Sequence, residues 1–464
     1  MTSKAVVLVG GSSRGTRFRP LTLDHAKILF PIAGKPLLSH TIDAILKIDT
    51  ITEIILIGFY EQTIFTEFVS HFNSNMKFEG RNCSMKYLKE FKALGTAGGL
   101  YHFKEEILKD NTANNFLIVH GDIICSFPIQ KMIDKYESKK LQNGKAPDAI
   151  LFGVNMDRAT YDLMIALNIN SKTEFGVILE DDVQDRVVHY VEKPESNLST
   201  IINGGIYLFN TSIFKLLSDA KIKKIKNSND ETYPEAIDED IISMERDVLQ
   251  KLPDLNNTFV YNHKGFWKAL KSPSDALWAN ELCLDLIYQS KEETSARFKS
   301  DNLAKLQKSS VNIYSPVYIH PSAKIDYSHG TKIGPYVSIG PNCSIGSGTR
   351  LSNSVILSDN TIGANSLVKN SIITDGCEIG QWCRIEGTGM NLVTVTELIR
   401  KNGTSKIKHI IETNEAFKVI GIKDSGNVSL LGSCTDVGDE VMILNSFILP
   451  NKSIRSDLQY EIVM

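Results

Sequence analysis

The feature of this sequence that most restricts its fold is a six-residue spacing of aliphatic residues in the last third of the chain. Gly often follows the aliphatic residue, as in Ile333-Gly334 and Ile345-Gly346. A six-residue period is typical of a parallel β-helix, in which each hexapeptide forms one side of a triangular coil and its aliphatic side chain points inward. We therefore expect residues 313–464 to form such a coil. The recurring positions are Ile333, Ile339, Ile345, Leu351, Leu357, Ile362, Val368, Ile373, Ile379 and Ile385.

The period is interrupted after Glu386-Gly387 and resumes at Val437, Ile443 and Leu449. A long aperiodic segment inside a solenoid must leave the coil as a loop, and such loops are usually functional or disordered. The sequence therefore predicts a loop insertion at 387–431. Two interpretations are open: a loop that contacts a partner, and a disordered excursion.

The first part of the chain alternates short apolar runs with helical patterns. Continuous apolar runs suit parallel strands that are buried on both faces. The alternation predicts an α/β domain over residues 1–290 with a mainly parallel sheet, and the polar segment 291–312 is predicted to be a linker. The strand-like runs are Ala5–Val9, Ile54–Ile57, Phe116–Val119, Ala149–Val154 and Gly204–Phe209.

Composition excludes several classes of protein. Among 464 residues, 51 are Lys or Arg and 54 are Asp or Glu, so the net charge of −3 gives no basis for nucleic-acid binding. The seven cysteines contain no C-x-x-C pair, which excludes a zinc ribbon, and Cys377 and Cys383 are predicted to be core residues. No apolar run is long enough to span a membrane and no secretory signal is present, so we expect a cytoplasmic protein without a membrane partner.

A glycine-rich turn directly follows the first strand. Gly10-Gly11 leads through Arg14 to Gly15-Thr16, and backbone N–H groups in such a turn can approach phosphates closely. On its own this turn is a weak signal. Its continuation is more specific, because it reads Gly15-Thr16-Arg17-Phe18-Arg19-Pro20-Leu21-Thr22 and then Lys27.

Further motifs follow in a fixed order, and together with this turn they resemble the signature of nucleoside-diphosphate-sugar pyrophosphorylases. Within that group the sequence is most similar to the GDP-mannose pyrophosphorylases (mannose-1-phosphate guanylyltransferases). The resemblance implies a Rossmann-like, GT-A-like nucleotidyltransferase domain followed by a left-handed parallel β-helix. The motifs are Leu94-Gly95-Thr96-Ala97-Gly98-Gly99, His120-Gly121-Asp122, Val191-Glu192-Lys193-Pro194, Asn203-Gly204-Gly205, Gly265-Phe266-Trp267 and the C-terminal Ile443-Leu444-Asn445-Ser446.

The resemblance also implies roles for individual residues. In this family mannose 1-phosphate attacks GTP and pyrophosphate leaves, so catalysis consists largely of positioning and charge neutralisation. Arg17 and Lys27 match the catalytic Arg and Lys, and Asp122 matches the first of two aspartates that hold Mg²⁺. The remaining matches are ligand-binding: Gly10, Gly11, Arg14, Gly15 and Thr16 for phosphates, Gly95 and Thr96 for base and ribose, Gly176 for the sugar, and Glu192, Lys193, Asn203 and Gly204 for the hexose and its phosphate.

The sequence departs from the catalytic pattern at the second aspartate. Catalytic relatives have Trp-x-Asp-x-Gly where this chain reads Trp267-Lys268-Ala269-Leu270-Lys271. An Ala methyl group cannot bind Mg²⁺, which requires oxygen ligands, and a loss of about 4 kcal/mol would slow transfer roughly a thousandfold. Strand alternation would place Lys271 on the face of Ala269, where its ammonium would replace the metal. The alternative is that Asp122, water and phosphates still hold Mg²⁺.

Two further departures resemble the regulatory α subunit of this family. The glycine-rich turn is two residues longer than in catalytic relatives, so it either blocks the pyrophosphate site or pairs Arg14 with a diphosphate. The insertion before the last coil is the second departure. We therefore expect the chain to bind GDP-mannose (or GTP), to self-associate, and to form a hetero-oligomer with a catalytic mannose-1-phosphate guanylyltransferase subunit.

Three alternatives remain at this point. The chain could be an active guanylyltransferase with a remodelled metal site. It could be a non-binding assembly subunit, like the pyrophosphorylase-like subunits of a translation initiation factor, although the retained Glu192-Lys193-Pro194 and Asn203-Gly204-Gly205 argue against this. It could also bind a different nucleotide or sugar.

Overall fold

A computed structural model describes residues 2–11, 16–78, 82–110, 114–155, 175–181, 184–195, 198–228, 238–289, 312–326, 328–388 and 428–464. The predicted linker lies almost wholly outside these residues. In chain order the strands before residue 290 are β1–β13: Lys4–Gly11, Pro31–Ile32, Lys35–Pro36, Glu53–Phe59, Ser84–Lys89, Asn115–His120, Ile123–Cys125, Ala149–Asn155, Val177–Asp181, Arg186–Val191, Ile201–Asn210, Thr258–His263 and Trp267–Ala269. The α-helices are α1–α7: Leu37–Ile45, Gln62–Phe78, Gly95–His102, Lys104–Leu108, Ile129–Asn143, Ile213–Ser228 and Pro273–Gln289.

Short 3₁₀ turns form at Thr16–Phe18, Leu21–Leu23, Lys27–Leu29 and Leu252–Leu255, and a π-helical turn forms at Met244–Leu249. The remaining strands are brief and evenly spaced. They are β14–β31: Asn312–Ile313, Val317–Ile319, Lys324–Ile325, Lys332–Ile333, Val337–Ile339, Ser344–Ile345, Arg350–Ile356, Thr361–Ile362, Leu367–Ile373, Glu378–Ile379, Arg384–Glu386, Ser429–Leu431, Asp436–Val437, Met442–Leu444, Phe447–Ile448, Ser453–Ile454, Leu458–Gln459 and Ile462–Val463.

The described chain divides into two compact units whose boundaries differ from the predicted domain limits. The first unit contains Met1–Arg14 and Leu38–Trp267, and the second contains Gly15–Leu37 and Lys268–Met464. The segment with Arg17 and Lys27 therefore belongs to the same unit as the C-terminal strands. Helix α7, predicted to lie in the first domain, also belongs to the second unit.

The first unit contains a nine-stranded sheet in the order β5-β4-β1-β6-β11-β8-β12-β10-β9. Strands β5, β4, β1 and β6 are parallel, as predicted. Strand β11 is antiparallel to β6 and β8, and β10 is antiparallel to β12 and β9. The prediction of a mainly parallel sheet is therefore wrong for this half, because an apolar run does not encode the direction of its neighbour.

Parallel ladders in the second unit bring the aliphatic residues into three columns. A domain of stacked parallel strands is confirmed, since these residues are buried and align strand above strand. The hexapeptide coil and its left-handed sense stay predictions. The columns are Ile333, Leu351, Val368, Ile385 and Ile443; Ile339, Ile356, Ile373, Leu431 and Ile448; and Ile345, Ile362, Ile379, Val437 and Ile454.

The predicted insertion is too long at its C-terminal end. Ser429–Leu431 pair with Ser371–Ile373 and therefore belong to the ladders, whereas residues 389–427 lie outside the described part of the chain. Ile448, rather than the predicted Leu449, occupies the core column. Cys377 and Cys383 are buried core residues, as predicted. None of the described helices is long and apolar enough to cross a membrane.

Candidate functional site

The end of strand β1 in the first unit is built from glycines in close contact. Gly10 has φ +73°, and the pairing of β1 with β4 slips by one residue between Leu8 and Gly10. A Cβ atom on Gly58 would lie 2.3 Å from the Gly10 carbonyl oxygen. This edge therefore requires glycine. The predicted phosphate residues Arg14 and Gly15 lie outside the described residues, as does the side chain of Thr16.

The second glycine motif opens helix α3. Gly95 has φ +88°, and a Cβ atom there would lie 2.5 Å from the Ile242 carbonyl oxygen. A Cβ atom on Gly99 would lie 2.3 Å from Glu90 Oε1. The Ala97 amide donates to the same Ile242 carbonyl at 2.9 Å. These glycines therefore allow the helix to approach neighbouring backbone and a buried carboxylate directly, which is a reason for the motif that requires no ligand.

The hydroxyl of Thr96 is fully engaged within the protein. It accepts a hydrogen bond from the Met244 amide at 2.7 Å and donates to Glu245 Oε2 at 2.9 Å. Ser243 Oγ donates to the same carboxylate oxygen at 2.8 Å. Because a hydroxyl has one proton, Thr96 would have to contact base or ribose through its backbone or its remaining lone pair. The predicted ligand contact at this position stays a prediction.

Glu245 is a buried carboxylate beside Thr96 that the sequence interpretation did not single out. Burial of its carboxyl opposes ionisation, yet the charge of His120 and the hydrogen bonds from Ser243 and Thr96 hold the pKa below its usual value. A local signal existed, because Ser243 caps the π-helical turn that contains Glu245. Nothing in the sequence connects that turn to Thr96.

His120 precedes the predicted metal ligand Asp122. Its ring lies edge-on to Tyr207 with centroids 5.7 Å apart, and its buried Nε2 atom has no hydrogen-bond partner among the described residues. A Cβ atom on Gly205 would lie 3.4 Å from this side chain. His120, Tyr207 and Glu245 thus form a polar region where strand β6 ends beside the middle of strand β11.

The described residues include both positions predicted for Mg²⁺ ligands, Asp122 and Ala269. They contain no group of three or more His, Cys, Asp or Glu side chains that could hold a metal ion. Asp122 is half-buried after strand β6, and Ala269, which is 8% exposed, offers no oxygen ligand from its side chain. We derive no chemical step from this metal.

A hydrogen-bonded cluster centres on Asn203. Its Nδ2 atom donates to the hydroxyls of Tyr207 at 2.8 Å and Tyr190 at 3.1 Å, and its Oδ1 atom accepts from the Gly205 amide at 3.1 Å. The Tyr190 hydroxyl in turn donates to Glu192 Oε2 at 3.2 Å. The Asn203 amide group is therefore held at both ends. Tyr190 and Tyr207 were not predicted as site residues.

Gly176 completes this cluster. The carbonyl oxygen of Gly176 accepts a hydrogen bond from the backbone amide of Asn203 at 2.8 Å. A Cβ atom at this position would lie 1.9 Å from the Tyr190 hydroxyl and 3.0 Å from Glu192 Oε2. The structure thus brings together three predicted sugar-binding residues, Gly176, Glu192 and Asn203.

Lys193 and Gly204 lie beside the cluster. The Glu192 side chain is 13% exposed, whereas that of Lys193 is 57% exposed with its ammonium 3.5 Å from Glu192 Oε1. The carbonyl oxygen of Gly204 accepts a hydrogen bond from Trp267 Nε1 at 2.9 Å. The region therefore offers acceptors, donors and one accessible cation.

Arg17, Lys27 and Lys271 belong to the second unit. Arg17 is exposed, whereas Lys27 is buried with its ammonium 5.9 Å from the centroid of the Phe18 ring. Strand β13 ends at Ala269, so the prediction that strand alternation places Lys271 on the same face is wrong. Instead, the Lys271 amide donates to Asp275 Oδ2 at the start of helix α7.

Two family models match the chain, one described as nucleotidyl transferase over residues 4–251 and one described as GMPPB C-terminal domain over residues 313–463. The chain is 35% identical to the "Probable mannose-1-phosphate guanyltransferase" of Schizosaccharomyces pombe, with 100% of both chains covered. It is 33% identical to the mannose-1-phosphate guanylyltransferase regulatory subunits alpha-B of Danio rerio and alpha of Rattus norvegicus, in each case over 99% of this chain and 100% of the relative.

Proposed function

The chain belongs to the mannose-1-phosphate guanylyltransferase family, and on this premise we propose that it binds GDP-mannose and regulates a catalytic partner subunit. One observation carries the proposal. The polar cluster around Asn203 is complete, whereas Ala269 stands where catalytic relatives have the second aspartate that holds Mg²⁺. A protein with these properties would sense the product of the pathway without making it.

The cluster suits a hexose joined to a phosphate. Sugar hydroxyls need both acceptors and donors, and Glu192 supplies carboxylate oxygens beside the fixed Asn203 amide. The accessible ammonium of Lys193 would neutralise a phosphate next to the sugar. Because Gly176 has no side chain, Tyr190 and Glu192 can pack directly against its backbone, which holds the Glu192 carboxylate in the cluster. These features support a sugar nucleotide as the ligand.

The case against efficient transfer rests on Ala269. Without the second carboxylate, the Lewis-acid contribution to the transition state would fall, and a loss of about 4 kcal/mol corresponds to roughly a thousandfold lower rate. The longer glycine-rich turn supports the same proposal, since it would alter the triphosphate site. We therefore propose that transfer by this chain alone is weak or absent.

The partner is proposed to be the catalytic mannose-1-phosphate guanylyltransferase subunit, in a cytoplasmic hetero-oligomer. Relatives that the chain matches over 99% of its length are named as regulatory subunits, which supports this assignment. Self-association is proposed as well, because a stack of parallel strands leaves terminal strands to be paired. The insertion, residues 389–427, is proposed to contact the partner.

Co-purification of the two subunits, followed by transferase assays with increasing GDP-mannose, tests this function. We expect GDP-mannose to inhibit the pair more strongly than the catalytic subunit alone. A chain that lacks residues 389–427 should bind GDP-mannose normally but transmit less inhibition. Equal inhibition of the pair and of the isolated catalytic subunit would contradict the regulatory role.

A second candidate is an active guanylyltransferase. It is favoured by the retention of Arg17, Lys27 and Asp122, and by the transferase name of the Schizosaccharomyces pombe relative. Pyrophosphate release by the purified chain, free of any catalytic subunit, separates the two. Turnover that disappears in Asp122→Ala would establish the enzyme and remove the sensor-only proposal.

A further inference from the structure

The segment from Gly15 to Leu37 has little regular structure of its own. Between Thr16 and Pro36 it consists of three short 3₁₀ turns and the two-residue strands β2 and β3. Turns of this length have poor hydrogen-bond geometry and need external anchors. Because this segment carries Arg17 and Lys27, the contacts that anchor it also set where those two side chains can lie.

One anchor is a set of hydrogen bonds made by the side-chain amide of Asn280, near the C-terminal end of the segment. Asn280 of helix α7 is fully buried and accepts from the Ala33 amide at 3.0 Å and from Ser338 Oγ at 2.6 Å. Its Nδ2 atom donates to the Tyr336 carbonyl at 3.2 Å. Asn280 therefore joins the β2–β3 hairpin to the stacked strands, but its partner Ala33 lies six residues after Lys27 in the segment.

The second anchor lies close to Lys27. His25 Nε2 is 2.5 Å from Asp375 Oδ2, and both side chains are about two-thirds buried. His25 is two positions before Lys27, in the turn between two 3₁₀ turns. Asp375 lies in the connection between strands β22 and β23. The pair thus ties the middle of the segment to the coil of stacked strands.

Asp375 is itself held by the coils on both sides. Its Oδ1 atom accepts from the Ser358 amide at 2.9 Å, and its carbonyl oxygen accepts from the Cys434 amide at 2.9 Å. The neighbouring Thr374 hydroxyl donates to the Leu431 carbonyl at 2.7 Å. Leu431 and Cys434 are in the first coil after the insertion. Asp375 therefore joins that coil to the segment with Lys27.

The ionisation of the Asp375 carboxyl suits its contact with His25. Burial opposes ionisation of Asp375, but the hydrogen bond and charge of His25, together with the Ser358 amide, outweigh it and hold the pKa below its usual value. Asp375 is therefore a carboxylate at neutral pH.

We propose that His25 and Asp375 form a positioning contact through which the coil next to the insertion sets the conformation of the Arg17–Lys27 segment, and with it the affinity for GDP-mannose. The ligand in this statement rests on the proposed function. The contact itself rests on the geometry alone. A change in the coil that shifts Asp375 would release the segment, whereas an intact pair holds it in one conformation.

Amide hydrogen exchange of the full chain tests the contact without any ligand. The amides of Leu23, His25, Leu29 and Phe30 are hydrogen-bonded within the segment, so their peptide reports on it. We expect exchange to accelerate about tenfold in Asp375→Ala and in His25→Ala. Asp436→Ala is the matched control, because it removes an ion pair with Arg455 in the same unit and should leave this peptide unchanged.

Calorimetry with GDP-mannose tests the effect on binding. We expect each single variant to bind about tenfold more weakly, and the double variant His25→Ala/Asp375→Ala to bind no more weakly than either one. A general loss of stability would not produce this non-additivity. The exchanged pair, His25→Asp with Asp375→His, should recover part of the affinity. His25→Ala keeps the hydrogen bond from the Ser358 amide to Asp375. A loss of affinity in this variant therefore cannot be due to disruption of the coil around Asp375.

Unchanged exchange in both single variants, or additive losses of affinity, would overturn the proposal. A wild-type chain that binds no GDP-mannose would contradict the proposed function instead. Exchange of the 16–30 peptide would then decide alone whether the pair holds the segment.

Discussion

The Thr96 hydroxyl donates a hydrogen bond of 2.9 Å to Glu245 Oε2, across 149 positions of sequence. The same hydroxyl accepts from the Met244 amide, so helix α3 and the π-helical turn are joined by a two-way contact. The glycine motif that resembles a nucleotide-binding loop is therefore also a packing device. The Thr96 side-chain hydroxyl makes both of these hydrogen bonds within the protein.

Replacement of this hydroxyl should be costly. In Thr96→Val the Met244 amide loses its acceptor and Glu245 loses a donor while the shape is kept, so we expect about 2 kcal/mol lower free energy of unfolding. Urea denaturation of the full chain measures it. Thr96→Ser retains the hydroxyl and is expected to lose less than half as much. Equal stability of the Val variant and the wild type would show that the contact contributes nothing.

Glu245 should make the first unit sensitive to acid. Because its pKa in the folded protein is below the usual value, its ionised form stabilises the fold above pH about 4.5, and this contribution is lost as pH falls through the lowered pKa. Glu245→Gln removes this titration. Denaturation at pH 6 and pH 3.5 should therefore show a smaller loss of unfolding free energy in the variant. A larger loss of unfolding free energy in Glu245→Gln than in the wild type would mean that the pKa of Glu245 is not lowered in the folded protein.

Gly176 should be indispensable for the sugar site. In Gly176→Ala the new methyl group would lie 1.9 Å from the Tyr190 hydroxyl, so Tyr190 and Glu192 must move apart. We expect GDP-mannose to bind at least about tenfold more weakly, as measured by calorimetry. Gly438→Ala is a control in the other unit, where the atom nearest to the new methyl group would belong to the flexible Arg455 side chain, at 3.2 Å. Unaltered affinity in Gly176→Ala would remove this cluster from the site.

Thiol reactivity should follow burial. Burial raises the pKa of Cys377 to about 12 and also raises that of Cys383, so neither should form a thiolate at pH 8. Cys434 is exposed. A thiol reagent under native conditions should modify Cys434 first, and peptide mapping identifies the site. Rapid modification of Cys377 would contradict its place in the buried core.

The sequence predicted what repeats and missed what depends on distant partners. The core columns followed from the six-residue period, because each inward position repeats the same environment. Ser429–Leu431 were missed because the aperiodic insertion breaks the repeat, so the sequence does not show at which residue the coil resumes. For the same reason Leu449 was predicted to occupy the core position that Ile448 holds. Glu192 and Asn203 were singled out from local motifs, and the structure places them in one hydrogen-bonded cluster. Glu245 and Tyr190 were not singled out, because their hydrogen bonds are to residues that only the fold brings close.

The central claim is that this chain binds GDP-mannose although Ala269 replaces the second aspartate of the catalytic metal site. Calorimetry of the purified chain with GDP-mannose, with Mg²⁺ and with a chelator, tests it most directly. We predict binding in both conditions with affinities that agree within about threefold, because Lys193 rather than a metal would neutralise the phosphate. Absence of binding at every Mg²⁺ concentration would contradict the claim.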